Sequence, residues 1–312
     1  MSILNSFEYN HTLAGELDKK AVQEAVTGFL VDPNMKAKFI GTKTVMIPYS
    51  DTHGLGDYDR HTGYAKGAVH IGNDPFTLEM DRGISFQIDR QDMDESGVKE
   101  GMPAYMSKFV SEHVVPEVDA YVLSKLAGVA KDNDNLVSLP EGSTLADAVL
   151  KVFTEAVGKV QRKVGFRKEL VAFVDWDFWS ALNNSPDISR VMVASNFKHG
   201  DLNITVKKLN GVAIIPVEDD RMKTSYVFHP ASPDGSDQGG FEPMENAENI
   251  GLLVMPKDGA SLIKKTEDTR IFTPQQNLNA DAWKGDYRIY YGVVVRRSQI
   301  PGISAYTYKT NN

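Results

Sequence analysis

The chain has 312 residues, 41% of them hydrophobic, no cysteine, and a net charge of −8 from 34 basic and 42 acidic residues. The missing cysteines exclude a disulfide framework, a thiolate metal site and a cysteine nucleophile. The acidic balance makes the chain a poor candidate for a sequence-independent grip on nucleic acid, which relies on Lys and Arg neutralising phosphates.

Apolar runs such as 211–217 and 251–255 are strand-sized and too short to span a bilayer. The first residues lack the basic start and apolar core of a secretory signal, so the expectation is a soluble protein made and kept in a cytoplasm, without membrane contact. In chain order, residues 14–30 carry Leu17, Ala21, Val22, Ala25, Val26 and Phe29 at helical spacing and read as a docking arm. A strand over 42–50 follows, then a polar, Gly-rich stretch from Asp51 to Asp74.

Residues 76–96 alternate apolar and polar side chains, with Phe76, Leu78 and Met80 on one face, then Ile84, Phe86 and Ile88. Asp81, Arg82 and Gly83 between them predict a hairpin with a three-residue turn, Gly83 supplying the left-handed residue. That register sets Met80 against Ile84, Leu78 against Phe86 and Phe76 against Ile88. No helix lies within 42–90 to cover the apolar face, and an uncovered hairpin is marginal in water. Its cover is expected from outside.

Residues 101–128 form the longest helical pattern, with Pro103 in the first turn and Gly128 just past the end. Pro116, inside it, must free the carbonyl of Glu112, which predicts a kink. A polar connector leads to a second helix over 144–165, with Thr144 as N-cap and Arg162 and Lys163 in the last turn. Strands are expected at 169–175, around 203–209, 211–217 and 250–256, with a short helix after Asp175 and a loose loop over 229–249. In the last block Tyr287, Ile289, Tyr291, Val293 and Val295 alternate as a buried strand does. Runs of strands without regular βαβ units give an α+β class.

Chemistry-bearing clusters are few. His53, Asp57, Asp59, His61, His70 and Asp74 are residue types that hold metals, but they lie in a polar insert and read as a solvated loop. Residues 131–142, with Asp132 and Asp134 two apart, lack the glycine at the sixth place and the glutamate at the twelfth of a calcium loop. Glu112-His113 lacks the second histidine of a zinc-protease helix, and Trp176, Trp179 and Trp283 read as packing anchors. No catalytic, cofactor or metal site is expected, and the chain does not read as an enzyme.

Four segments in order, "TLEMDRGISFQIDRQDMDES", "HVVPEVDAYVLSKLA", "ENIGLLVMPKDGA" and "DTRIFTPQQNLNADAWKGDYRIYYGVVV", resemble major capsid proteins of tailed bacteriophages. The resemblance covers roughly residues 40–307 and is strongest in the last block. It implies the α+β phage capsid fold: an N-terminal arm (1–41), an extended β-hairpin loop (42–92), a peripheral domain with a long spine helix (93–139 and 271–312) and an axial domain (140–270). It further implies copies of the chain as partners, in pentamers and hexamers of an icosahedral shell around double-stranded DNA, with expansion of a precursor shell and no sequence-specific DNA binding. A separate scaffolding protein, a portal and decoration proteins are the further partners implied, and the virion, assembled in the host cytoplasm, the location.

On that reading the subunit-interface candidates are Phe76, Leu78, Met80, Asp81, Arg82, Gly83 and Phe86 in the hairpin, with Asp281 and Arg288 in the last block. The charged ones pair across or within subunits. Lys66 lies in the extended loop, but nothing marks a crosslinking partner for it. An encapsulin-like cargo compartment is the alternative on the same fold, and a metal-dependent hydrolase using His53–Asp74 is a more distant one.

Overall fold

The computed structural model describes residues 25–31, 38–40, 43–95, 101–185, 193–199, 202–232 and 238–309. Most of the helix expected over 14–30 lies outside them. Its end is seen as a short 3-10 turn, Gly28–Leu30, with Phe29 and Leu30 buried.

Strands β1 (Lys38–Ile40), β2 (Thr44–Thr52) and β3 (Val69–Thr77) form an antiparallel sheet in that order. β4 (Met80–Asp89) leads into the short helix α1 (Arg90–Glu95). Next, α2 (Gly101–Phe109) passes through a π-helical turn, Val110–Val114, into α3 (Val115–Asp132). Then come β5 (Leu136–Val137), α4 (Leu145–Val164), β6 (Leu170–Val174), α5 (Trp176–Asn184), β7 (Val193–His199), β8 (Leu202–Leu209) and β9 (Val212–Pro216). The hairpin β10 (Tyr226–Ala231) and β11 (Gln238–Pro243) precedes β12 (Asn249–Pro256), β13 (Ser261–Phe272), β14 (Ala282–Val294) and β15 (Ser304–Tyr308).

The seven-stranded sheet, ordered β5-β15-β12-β6-β9-β8-β7, is the centre of the molecule. All five residues of β6 are buried because both faces are covered. Val171 and Phe173 face the spine formed by α2 and α3, while Leu170, Ala172 and Val174 face α4 and α5. β15 lies in this sheet between β5 and β12, so the chain end returns alongside strands of the 140–270 range.

α4 starts where the sequence predicts, with Asp147 N–H donating to Thr144 Oγ1 at 3.4 Å and the Thr144 hydroxyl donating to the Asp147 carboxylate at 2.6 Å. The spine is continuous from 101 to 132, roughly 48 Å at 1.5 Å per residue. The irregularity expected from Pro116 is the π-helical turn just before it, which widens the ladder around Glu112. Gly128 does not end the helix, which runs on to Asp132 and stops at Asn133, with Asp134 left-handed at φ 53°.

The spine is sandwiched between the large sheet and a three-stranded antiparallel sheet, β13-β14-β4. Here the structure overturns the expected hairpin. Residues 81–83 are not a turn but the interior of β4, which pairs with β14 from Ala282↔Asp89 to Tyr291↔Met80. β3 pairs with β2 instead, so Leu78 and Phe86, or Phe76 and Ile88, never face each other as strand partners. The stretch read as a loose loop at 229–249 holds most of the β10–β11 hairpin, and β13 was hidden by its charged run Lys264–Arg270.

Candidate functional site

The feature that stands out from this body is a two-stranded ribbon. β2 and β3 pair over nine positions, Thr44↔Thr77 to Thr52↔Val69, a length of roughly 30 Å at about 3.3 Å per residue. Its root is apolar and closed: Val45 and Leu78 are buried with Ile263, Tyr290 and Val294, and Ile47 and Phe76 pack against them. Further out, Arg297 donates to Asp74 at 2.6 Å and lies 4.6 Å from the Tyr49 ring centroid. Tyr49 covers Gly72 opposite it, where a Cβ would stand 2.5 Å from the ring.

Past that clamp the ribbon has no body of its own to lie on. Val69 and Ile71 are 64% and 76% exposed, and Leu55, Tyr58 and Tyr64 at the tip are 106%, 61% and 88% exposed. The two tip tyrosines touch edge to face at 5.0 Å, and Asp59 organises the turn by accepting from the backbone N–H groups of His61 and Thr62. Those two donors hold its carboxyl below the usual value. Water-exposed aromatic and aliphatic side chains on a projecting ribbon mark an interaction surface.

The candidates named from sequence sit elsewhere, at the root, and are engaged within the chain. Leu78 and Met80 are buried, and Phe86 meets Phe109 of the spine edge to face at 5.0 Å. The expected cover by a neighbour is therefore corrected: within the same chain α2 and α3 cover 80–88, and Ile263, Tyr290 and Val294 cover Leu78. Asp81 and Arg288 form a bidentate pair at 2.8 and 2.9 Å across the β4–β14 ladder, and hydrogen bonding to Arg288 lowers the Asp81 pKa. Arg82 is the most engaged of the set: it donates to both Glu117 oxygens, at 2.8 and 3.0 Å, and to the carbonyls of His229 and Gly240. One guanidinium thus joins β4, the spine and the β10–β11 hairpin.

Gly83 has no left-handed φ; its requirement is steric, since a Cβ there would stand 2.9 Å from the Tyr287 carbonyl oxygen. Asp281 is exposed and faces Arg90 at 3.9 Å. Lys66 is exposed near the tip. Sequence reading missed Leu55, Tyr58, Tyr64, Val69 and Ile71. The signal was available, as five bulky apolar residues in a stretch otherwise read as solvated.

A second junction secures residues 25–31. Asp119 of α3, fully buried, accepts from Val26 N–H at 3.0 Å, Thr27 N–H at 2.9 Å, the Thr27 hydroxyl at 2.5 Å and Arg221 at 3.1 Å. Burial pushes its carboxyl pKa up, against the pull of those donors. Val31 then bridges Leu262 at the edge of β13. Among the described residues no three His, Asp or Glu side chains converge as a metal shell would require; His53 and His70 are exposed, and Asp74 is held by Arg297.

No protein-family model matches the chain, and no curated protein matches it in sequence. Solved structures do. The chain superposes on a structure from Mycobacterium phage Che8 with a TM-score of 0.55 and 13% identity, covering 90% of each chain. It is similar to the asymmetric unit of the bacteriophage PhiM1 mature capsid, with a TM-score of 0.57, 14% identity and 87% and 83% of the two chains covered. The capsid structure of the cyanophage P-SCSP1u gives 0.58, 12%, and 88% and 86%. At such identities the likeness concerns the path of the chain, and that path is the tailed-phage major capsid protein fold.

Proposed function

We propose that this chain is the structural subunit of an icosahedral phage shell, assembling with copies of itself into pentamers and hexamers that enclose packaged double-stranded DNA. The observation that carries the reading is the bare outer ribbon: residues 53–72 expose Leu55, Tyr58, Tyr64, Val69 and Ile71 on a projection whose root is fixed. Such side chains gain about 25 cal/mol per Å² of apolar surface once covered. A sister copy covers them at every position of a closed shell, where symmetry repeats the contact.

The division of labour is part of the proposal. Residues 1–41 act as arm, 42–92 as extended loop, 93–139 with 271–312 as peripheral domain and 140–270 as axial domain, with β15 counted in the sheet where it pairs. The spine carries the load between the two sheets, and its π-helical turn is the place for it to bend as a precursor shell expands. Interfaces between copies centre on the ribbon tip rather than on Asp81, Arg82 and Gly83, whose partners lie within the subunit. A scaffolding protein, a portal and decoration proteins complete the assembly, which forms in the host cytoplasm and ends in the virion. The net charge of −8 suits a lining that does not hold DNA tightly.

The experiment is sedimentation of the expressed chain with negative-stain imaging. Megadalton spheres are the expected result. A lone subunit that stays monomeric at high concentration, with and without a co-expressed scaffolding protein, overturns the reading.

A further inference from the structure

Two exposed aromatic knobs of opposite electrostatic setting stand at the two ends of β6. At its start, the last turn of α4 and the residues after it, 162–168, form a knuckle, where Gly165 turns the chain at φ 88°. Phe166 there is 80% exposed, and Arg162, Lys163 and Arg167 are exposed without an ion pair among the described residues. Lys168 is spoken for by Asp258 at 2.8 Å. Three uncommitted cations around a bare phenyl ring are conspicuous in a chain of net charge −8.

At the other end, Asp175 caps α5 by accepting from Phe178 N–H at 2.8 Å, and also accepts from the Tyr308 hydroxyl at 2.7 Å. Trp176 follows, 64% exposed, its N–H donating to Asp219 at 3.0 Å. Around it Asp177, Asp219 and Asp220 are exposed and make no ion pair among the described residues. The negative potential is felt locally: burial first, then Asp219 and Asp177, push the Asp175 carboxyl up to about 6.

The five residues of β6 separate knuckle and corner by roughly 17 Å. One copy therefore cannot bring its own cations to its own carboxylates. We propose that the Phe166 knuckle of one copy docks on the Trp176 corner of the next, with Lys163 and Arg167 set against Asp177 and Asp220. The contact uses different surfaces on its two sides, so it is head-to-tail, the kind that closes a ring when the rotation between copies permits. It rests on the shell reading above and supplies that reading with a specific contact between axial domains. The occupant is a second copy because the complementary surface is present on the same chain, with an aromatic ring and charges of the opposite sign that make no ion pair among the described residues, although Asp177 also accepts from the Tyr308 hydroxyl at 3.0 Å.

The test is charge exchange, read as particle yield by sedimentation and imaging. Variants K163E/R167E and D177K/D220K each place like charges together and are expected to cut the yield roughly tenfold or more, since buried interface anchors dominate association. The chain carrying all four changes restores complementarity with reversed sign and is expected to recover most of the yield. F166A and W176A, both surface truncations, are expected to lower the yield while leaving the subunit's thermal midpoint unchanged. Normal particle yield from F166A and W176A overturns the proposal, as does failure of the four-fold variant when its thermal midpoint matches the parent. A knuckle reversal that changes only the nucleic-acid content of otherwise normal particles also overturns it, in favour of a polyanion contact. If the parent chain itself makes no particles, it is the shell reading that fails.

Discussion

β4 and the outer ribbon begin as the same kind of sequence, short alternating strands with one apolar face, and end in opposite circumstances. Ile84, Phe86 and Ile88 on β4 lie against the spine of their own chain, with Arg82 bonded to the spine's Glu117 on the same face and Arg288 holding Asp81 on the opposite, polar face. Val69 and Ile71 on β3 are instead 64% and 76% exposed. Alternation therefore reports that a face wants cover, not whose cover it gets. The part of the ribbon near Val45 is covered by its own chain, and the part beyond Tyr49 is left exposed.

The largest expected effect tests the first half of that contrast. Arg82→Ala leaves Glu117, largely buried, without its cation and strips two carbonyls of their donor. Breaking such a pair costs about 4 kcal/mol, and urea denaturation of the unassembled subunit measures it. Gly83→Val comes next. Its Cβ would press on the Tyr287 carbonyl and spread β4 from β14, an overpacking penalty of about 2 kcal/mol in the same assay. An unchanged midpoint would show that the β4–β14 approach is less close than described.

Arg288→Ala is smaller and depends on pH. Arg288 lowers the Asp81 pKa below 3.8, so the pair stabilises the folded chain above that pH. The contribution fades as pH falls through the lowered value, and the gap between parent and variant should close there. Because both side chains are exposed, solvent screening keeps the gap small even at neutral pH. The smallest effect on stability sharpens the other half: Tyr58→Ser with Tyr64→Ser should move the subunit's stability by under about 0.5 kcal/mol. The same double variant should abolish particles in sedimentation. If it unfolds the subunit instead, the tip belongs to the body after all.

Several elements could be read before any coordinates. α4 declares its start through Thr144 and Asp147, the spine through its long apolar stripe, and β14 through alternating Tyr and Val. Strand partners could not be read. β4 meets β14 some 200 residues later, and nothing local in Met80–Asp89 distinguishes that partner from a neighbouring run. Gly83 misled because glycine serves two needs, positive φ and close backbone approach, and only the second operates here. β13 escaped notice because Lys264, Lys265, Glu267 and Asp268 break the apolar pattern; in space Lys264 and Glu267 pair with each other at 2.6 Å. For the site, Asp81 and Arg288 were expected to pair across or within subunits, but which partner each takes was not legible, since their bond spans a sequence separation of 207. The tip residues were hidden by their polar company.

The carboxylate of Asp119 has a mechanical meaning. It is the knot where three strings meet: residues 25–31 through Val26 and Thr27, the spine that carries it, and the segment after β9 through Arg221. Tugging residues 26 and 27 loose would leave the buried Asp119 carboxyl with three fewer donors and only Arg221 beside it. Residues 25–31 are consequently tied to the inside of the molecule, and a pull on them would bear directly on the spine and on Arg221.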